Sequence, residues 1–276
     1  IYQTLDEYPQ RRALIDQLGY GRDDRRLPDL VLPVYDAIRC RVDPKGWMAQ
    51  CMDAYSFADN TPAEQTIWGQ ALIASLSRVL ESAERNLNDA LRLMDGDESL
   101  QISYAPLFTE NRRAVAALRE CAAWDEIYER RTLDFGRLRP VRKPQDAERQ
   151  ERAKALREAA KETVKDALKP FYAPSARVMG DLKYSASAIG GLLELVQLFE
   201  TRYTQEKRRR KLFDFSDLEH ETIRLLVQKQ SGKPTAVARE ISQRYREILV
   251  DEYQDSNAVQ ECIFEAVSRD GSNRFM

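Results

Sequence analysis

The residues REILVDEYQDSN, 246–257, place an apolar run directly before a pair of acids. The run at 248–250 is typical of a buried strand in a parallel sheet, and it ends at Asp251 and Glu252. In open α/β sheets, ligands bind beyond the carboxyl ends of the strands. A carboxylate there can hold Mg²⁺ beside phosphate oxygens, and a second one can orient and deprotonate a water molecule. The pattern therefore predicts the acidic half of a nucleotide-hydrolysis site, with the capping of a turn by the two acids as the alternative.

The composition is typical of a soluble globular protein with about two domains. The chain has 276 residues, of which 32% are charged, and its net charge of −2 indicates no particular partner. No apolar run approaches the roughly 18 residues of a membrane span, and the first residues do not form a signal peptide. The four scattered cysteines favour a reducing cytoplasm over a zinc site or a disulfide framework. Because the chain starts at Ile1 and stops at Met276 after a polar turn, we expect it to be an internal fragment of a longer protein.

His220 is the only histidine, which argues against a Ser-His-Asp triad and against a histidine-rich metal site. We predict that it lies on a helix surface. The three tryptophans, Trp47, Trp68 and Trp124, occur in apolar helical patterns and are predicted to belong to the core rather than to stack on bases.

Helical periodicity dominates residues 1–205, and the pattern changes near residue 206, where a basic run and a turn precede a helix. From the run at 248–250 onward, strand, helix and strand signals follow one another. The pair Asp43-Pro44 predicts a helix start. Thr61 is predicted to cap a long amphipathic helix, and Ser216 a later one with Glu219 at its third position.

The segment LVDEYQDSNAVQ resembles the second helicase motif of the UvrD-like superfamily 1 helicases. The residues that match it are Asp251, Glu252, Gln254, Asp255, Ser256, Asn257 and Gln260. FDFSDLE, residues 213–219, resembles the DF-x-DL element that these helicases carry upstream. More narrowly, KPTAVAREISQRYREILVDEYQDSN and YDAIRCRVDPKGWM are similar to segments of the AddA-type subunit of bacterial AddAB helicase–nucleases. The resemblance is clear over 206–276 and weaker over 1–205.

The resemblance implies a mainly α protein with two parts. Residues 1–205 would form a large helical insertion, like subdomain 1B of the family, and residues 206–276 would form part of the RecA-like α/β P-loop motor, subdomain 1A. Asp251 would ligate the Mg²⁺ of Mg-ATP, and Glu252 would be the general base for the attacking water. Gln254, Asp255 and Asn257 match the motif, but no individual chemistry can be assigned to them.

For the whole protein, the resemblance implies ATP-driven unwinding and processing of DNA ends in double-strand break repair and recombination. The implied partners are duplex DNA with a single-stranded end, ATP and an AddB-type subunit, in the bacterial cytoplasm. One alternative is a UvrD- or Rep-like repair helicase without a nuclease. Another is a non-catalytic helical interaction module that keeps a remnant of a motor.

A phosphate-binding loop requires G-x-x-x-x-G-K-[ST], and the nearest approach in the chain is QSGKPT, residues 230–235. Val227 stands where the first glycine is required, and Pro234 stands where a hydroxyl should meet Mg²⁺. We therefore interpret QSGKPT as a loop. In the family, the phosphate-binding loop lies upstream of the insertion and the nuclease domain lies C-terminal to this region, so we predict that the chain alone has neither ATPase nor nuclease activity.

Two basic stretches are candidates for contact with DNA phosphates. The first is a run of five cations, Lys207, Arg208, Arg209, Arg210 and Lys211. The second is 137–169, where a helix with interleaved Glu and Lys could equally be a solvated surface.

Overall fold

The computed structural model describes residues 8–18, 27–141, 146–269 and 272–275. These residues are mainly helical, as predicted. The chain forms two compact units, one from Ser56–Lys183 and one from Ile1–Tyr55 together with Tyr184–Met276. We call them the inserted unit and the discontinuous unit. The predicted division at 205/206 into insertion and motor does not coincide with these units, and it stays a prediction.

The described residues form twelve α-helices, two short strands and two 3₁₀ turns, at Ala63–Gln65 and Tyr253–Asp255. The helices are α1 (Pro9–Leu18), α2 (Leu27–Arg39), α3 (Pro44–Asp53), α4 (Ile67–Leu93), α5 (Glu98–Ser103), α6 (Ala105–Arg119), α7 (Trp124–Arg130), α8 (Ala147–Ala167), α9 (Ser175–Arg210), α10 (Phe215–Leu226), α11 (Ala236–Arg244) and α12 (Ala258–Val267). The strands are β1 (Ile248–Leu249) and β2 (Arg274–Phe275). No helix among the described residues is long and apolar enough to cross a membrane.

The core of the inserted unit lies where α6 and α8 pack against α4. Leu76, Leu80 and Leu87 recur at helical spacing along α4 and are almost fully buried. Helix α8 contributes a stripe of small side chains that includes Ala153 and Ala160, both 0% exposed. Small residues allow two helices to approach closely, so a helix as polar as α8 can still bury one side.

Helix starts follow local hydrogen bonding, and two of the predicted caps are wrong. Asp43 caps α3 as predicted and accepts from the Gly46 N–H. Thr66, not Thr61, caps α4, because the chain first makes the 3₁₀ turn at 63–65. The Thr66 Oγ1 then accepts a hydrogen bond from the Gly69 N–H at 3.0 Å. Asp214, not Ser216, caps α10, and it forms a reciprocal capping box with Asp217.

The discontinuous unit contains two hydrophobic clusters. In the larger one, Leu14, Ile38 and Val196 from α1, α2 and α9 are each 0% exposed. Gly191 lets α1 approach α9, since a Cβ there would collide with the Gln10 carbonyl group. The smaller cluster joins α10, α11 and α12 and includes Leu226.

The strands β1 and β2 pair in parallel, with Ile248 opposite Arg274 and Leu249 opposite Phe275. This confirms the predicted strands at 248–250 and near the end of the chain. The prediction that the first strand is buried is wrong, because Leu249 is 76% exposed. Within the described residues, β2 is the one strand paired with β1, and the other edge of β1 pairs with no strand.

Candidate functional site

The acidic turn, residues 251–257, begins just after β1 and contains the 3₁₀ turn at 253–255. The carboxylates of Asp251, Glu252 and Asp255 are all exposed to solvent. Asp251 Oδ1 accepts the backbone N–H of Glu252 at 2.9 Å. The turn therefore presents three acids to solvent at the carboxyl end of a parallel strand, which is the placement expected from the sequence.

Glu252 adopts a left-handed backbone conformation, with φ 49° and ψ 43°. For a residue with a Cβ, this conformation costs about 1–2 kcal/mol. Three hydrogen bonds hold it: the one to Asp251, one from Asp255 N–H to the Glu252 carbonyl at 2.9 Å, and one from Ser256 N–H to the Tyr253 carbonyl at 3.0 Å. Strained backbone of this kind is concentrated at functional sites.

Asn257 and Gln260 form the capping box at the start of α12. Asn257 Oδ1 accepts the N–H groups of Val259 and Gln260, each at 2.9 Å. Gln260 Oε1 in turn accepts the Asn257 N–H at 3.2 Å. Asn257 thus has a structural task within the motif, whereas the side chains of Gln254 and Asp255 are exposed.

A contact that sequence reasoning missed links the turn to α10. Gln260 Nε2 donates to Glu219 Oε1 at 2.8 Å, over 41 residues of sequence. Glu219 lies in the motif-like segment 213–219 and Gln260 in the segment 249–260, but no rule of sequence spacing pairs the two residues. The Gln260 amide therefore serves the capping box through its oxygen and α10 through its nitrogen.

The basic run at 207–211 is divided by its contacts. Lys207 is 7% exposed, and its Nζ lies 2.7 Å from Asp214 Oδ2 and 2.6 Å from Asp217 Oδ2. Burial opposes the charge on Lys207, but the hydrogen bonds to Asp214 and Asp217 outweigh it and hold its pKa above the ordinary value. Arg39 completes this ion cluster, with Nη2 3.2 Å from Asp217 Oδ1 and Nε donating to Ser216 Oγ at 2.8 Å.

The rest of the run lies on the surface. Arg209 and Arg210 both bind Glu206, and their hydrogen bonds lower the pKa of that exposed carboxyl to about 2. Arg208 and Lys211 are exposed and form no ion pair within the part of the chain that the structure describes. Those two are the cations of the run that are available to an external phosphate.

His220 lies on α10, and its side chain is half-buried rather than fully exposed. Its Nε2 lies 3.0 Å from the Arg39 carbonyl oxygen, and it lines a cleft of about 310 Å³ together with Arg39 and Thr204. Burial lowers the pKa of His220, and the nearby positive charges of Arg39 and Arg224 act in the same direction.

The second basic stretch, 137–169, is also mixed, and residues 142–145 lie outside the described residues. On α8 and just after it, three lysines pair with acids three residues before them: Lys154 with Glu151, Lys161 with Glu158 and, beyond the helix end, Lys169 with Asp166. Arg137 and Arg139 belong to an irregular segment at 131–141, which has no regular secondary structure; they are exposed and have no ion pair among the described residues. With Tyr104 and Lys154 they line a cleft of about 530 Å³.

Arg157 is a buried cation on α8 whose guanidinium binds carbonyl groups of this irregular segment. Its Nε donates to Asn111 Oδ1 and its Nη2 to the Gly136 carbonyl, each at 2.9 Å, and Nη2 also donates to the Phe135 carbonyl. Burial lowers the pKa of Arg157. The guanidinium thus satisfies the carbonyl groups of Phe135 and Gly136, and it has no carboxylate partner among the residues that the structure describes.

The structure also describes the tryptophans, the segment QSGKPT and the grouping of possible metal ligands. Trp124 is core, at 2% exposed, and Trp47 and Trp68 are partly buried. Gly232 lies in an exposed turn with φ 66°, so QSGKPT is a loop, as predicted. Among the described residues, no three His, Cys, Asp or Glu side chains lie close enough together to hold a metal ion by themselves.

The chain belongs to the UvrD/REP helicase family, whose N-terminal domain matches residues 79–276. It is similar to the AddA-type subunit of the ATP-dependent helicase/nuclease of Moorella thermoacetica, with 33% identity over 93% of this chain. The same subunit of Pelotomaculum thermopropionicum is 33% identical over 96% of the chain, and that of Acetivibrio thermocellus is 31% identical over 93%.

These comparisons confirm the resemblance to the AddA-type subunits. They extend it over nearly the whole chain, including the helical residues before 206 where the sequence motifs alone were weak. The chain spans about a fifth of the length of these relatives, with 19% of the Moorella protein and 22% of the Pelotomaculum protein covered.

Proposed function

We propose that this chain is part of the AddA-type subunit of an ATP-dependent DNA helicase–nuclease and carries the acidic half of its ATP-hydrolysis site. The observation that carries the proposal is the acidic turn, which follows a parallel strand directly and holds Glu252 in a strained conformation. The family membership supports it, because the relatives are named as ATP-dependent helicase/nuclease subunits.

Asp251 is the proposed ligand of the Mg²⁺ that accompanies ATP. The donor set fits this ion, since Mg²⁺ prefers one or two protein carboxylates and takes its remaining ligands from phosphate and water. Asp251 uses Oδ1 for the Glu252 N–H and leaves Oδ2 available. Bound Mg²⁺ would neutralise charge on the nucleotide phosphates.

Glu252 is the proposed general base. Its exposed carboxylate can accept a proton from a water molecule, and its backbone is fixed by hydrogen bonds on both sides. Asn257 supports the site indirectly by starting α12 at a defined point. Gln254 and Asp255 are exposed on the same turn and are proposed to contact neighbouring parts of the nucleotide site.

We assign residues 206–276 to part of a RecA-like motor and residues 1–205 to a helical insertion like subdomain 1B. The parallel strands β1 and β2 joined by α12 support the first assignment, because strand, helix and parallel strand make the repeating unit of such motors. The exposed side chain of Leu249 and the unpaired edge of β1 are consistent with further strands of the same sheet.

The whole protein would unwind and process DNA ends during double-strand break repair in the bacterial cytoplasm. Its DNA substrate would be a duplex with a single-stranded end. The word "subunit" in the relatives' names supports a partner, which we propose to be of the AddB type.

The ATP proposal is tested by comparing the purified chain with the full-length protein that contains it. We expect no hydrolysis by the chain, because no segment matches the phosphate-binding loop. We expect Glu252→Gln to abolish DNA-stimulated turnover in the full-length protein while Mg-ATP still binds. DNA-stimulated turnover by the chain alone that depends on Glu252 would overturn the first expectation; full turnover by the Gln variant would overturn the proposed base.

The DNA proposal is tested by fluorescence anisotropy with a labelled forked duplex at several salt concentrations. Removing two phosphate contacts lowers the slope of log K against log salt by about 1.8. We expect that change for the pair Arg208→Gln and Lys211→Gln, and separately for Arg137→Gln with Arg139→Gln. The matched control is Arg209→Gln with Arg210→Gln, whose side chains bind Glu206 and must leave it to reach a phosphate. Equal slopes for all three pairs would contradict the assignment.

A further inference from the structure

Helix α10 makes polar contacts on two different sides. Ser216, Asp217 and His220 lie at positions i, i+1 and i+4 and all contact Arg39 of α2. Glu219 lies between them in sequence, but it binds Gln260 of α12 instead. The same helix is thus fixed to α2 on one side and to the start of α12 on the other.

The contacts to Arg39 and Lys207 hold α10 as a rigid reference. The Lys207 ammonium bridges both acids of the α10 capping box, Asp214 and Asp217, from a side chain that is 8% exposed. Charge-assisted hydrogen bonds of this length are about twice as strong as neutral ones, and burial protects them from screening by salt. The N-terminal turn of α10 therefore cannot shift without breaking several ionic contacts.

On the other side, Glu219 is a half-buried carboxylate with an amide as its partner. Its bond to Gln260 Nε2 measures 2.8 Å, and it has no ion pair among the described residues. Leu226, two turns along the same helix, is 3% exposed and packs with Ala266 of α12. Apolar packing fixes the distance between the two helices, and the Glu219–Gln260 bond fixes the position of α12 along its axis.

We infer that Glu219 is a positioning residue for the acidic turn and acts through Gln260. The Gln260 amide nitrogen is held by Glu219, its oxygen receives the Asn257 N–H, and Asn257 ends the turn that carries Asp251 and Glu252. The inference rests on the proposed hydrolysis site. Displacement of a reacting group by about 1 Å through a remote mutation can cost a hundredfold in rate, so this contact has kinetic consequences.

The first test uses the purified chain and hydrogen exchange of the backbone amides of 257–260. Losing an anchor worth about 1.4 kcal/mol raises the exchange rate by about tenfold. We expect that rise for Glu219→Ala. We also expect it for Gln260→Glu, which keeps the capping box but sets two carboxylates against each other. Glu221→Ala is the control, since Glu221 lies on the same helix, is exposed and binds Arg224.

The double variant Glu219→Gln with Gln260→Glu reverses donor and acceptor and restores a hydrogen bond of the same geometry. We expect its exchange rates at 257–260 to return to within about twofold of the parent. Failure of the double variant to recover, or equal acceleration in α11 and in the inserted unit, would show general destabilisation and overturn the inference.

The second test measures ATP hydrolysis by the full-length protein. We expect Glu219→Ala to lower kcat by about ten- to a hundredfold with KM for ATP nearly unchanged, and the double variant to recover most of kcat. If Glu252→Gln abolishes turnover and Glu219→Ala leaves kcat unchanged, the positioning role is wrong and the proposed site stands. If Glu252→Gln leaves turnover intact, the proposed site itself fails.

Discussion

The ammonium nitrogen of Lys207 lies 2.6 Å from a carboxylate oxygen of Asp217, and the two side chains are 8% and 16% exposed. The pair joins the end of α9 to the start of α10. A cation that the sequence places in a basic surface run is therefore an internal ionic contact. Removing the Lys207 charge should therefore change the stability of the fold more than it changes the binding of any external ligand.

Replacing Lys207 with Met should lower the free energy of unfolding by about 3–5 kcal/mol, because Asp214 loses its ion-pair partner in a partly buried site and Asp217 keeps only Arg39. Urea unfolding of the purified chain measures this directly. Arg209→Gln is the control from the same run, and its exposed pair with Glu206 should contribute little to stability. Similar losses for the two variants would contradict the distinction between them.

His220 should titrate below the ordinary histidine range, because burial disfavours its charged form. The unfolded state then binds the proton more readily than the folded state. The contribution to stability is present above about pH 6.5, the unfolded value, and is lost as the pH falls through the folded pKa.

Since His220 is the only histidine, its ring C–H signal in a proton NMR titration reports this pKa without assignment. A midpoint at or above 6.5 would refute the expected direction. The variant His220→Gln should also flatten the dependence of unfolding free energy on pH between about 7 and 5. The parent chain should lose stability over that range.

Local signals predicted the helices and the acidic turn well. Asp43 as a cap, the loop around Gly232 and the strand before Asp251 all follow from short-range patterns, and the structure confirms them. Thr61 failed as a cap because a 3₁₀ turn at 63–65 delays the helix until Ile67. Several polar residues can serve a helix start, and sequence spacing alone does not choose among them.

The long-range polar contacts could not be predicted from the sequence. No periodicity pairs Glu219 with Gln260, or Lys207 with Asp217, because each pair meets only after the helices have packed. Arg157 did leave a signal, since it occupies a position in the buried stripe of α8 between Ala153 and Ala160. A charged residue in register with an apolar face indicates a buried contact, although it does not identify the partner.

Replacing Arg157 with Met should release the irregular segment at 131–141 from α8. The carbonyl groups of Phe135 and Gly136 would lose a charged donor, at a cost of about 1.5–3 kcal/mol for each such hydrogen bond. Limited trypsin digestion should then cut after Arg137 at least tenfold faster than in the parent.

The control for this digestion is Arg152→Met, because Arg152 is exposed on the same helix. It should leave the rate of cleavage after Arg137 unchanged. If the Arg157 variant resists trypsin as well as the parent does, other contacts hold the segment, and the buried guanidinium is not its anchor.

Replacing Glu252 with Gly should stabilise the chain. The left-handed conformation at φ 49° costs a residue with a Cβ about 1–2 kcal/mol and costs glycine nothing, whereas the greater freedom of unfolded glycine returns about 0.5–1 kcal/mol. The net gain should be about 0.5–1 kcal/mol in urea unfolding.

The controls for Glu252→Gly separate backbone strain from the loss of the carboxylate. Glu252→Ala keeps the Cβ and should show no gain, while Lys211→Gly, at the other non-glycine residue with positive φ among those described, should stabilise similarly. The same Glu252→Gly change should abolish ATP hydrolysis by the full-length protein, which would show that the strain is retained for the carboxylate. A loss of stability in the glycine variant would mean that the Glu252 side chain contributes to the fold and that strain at this position is not the cost of a functional group.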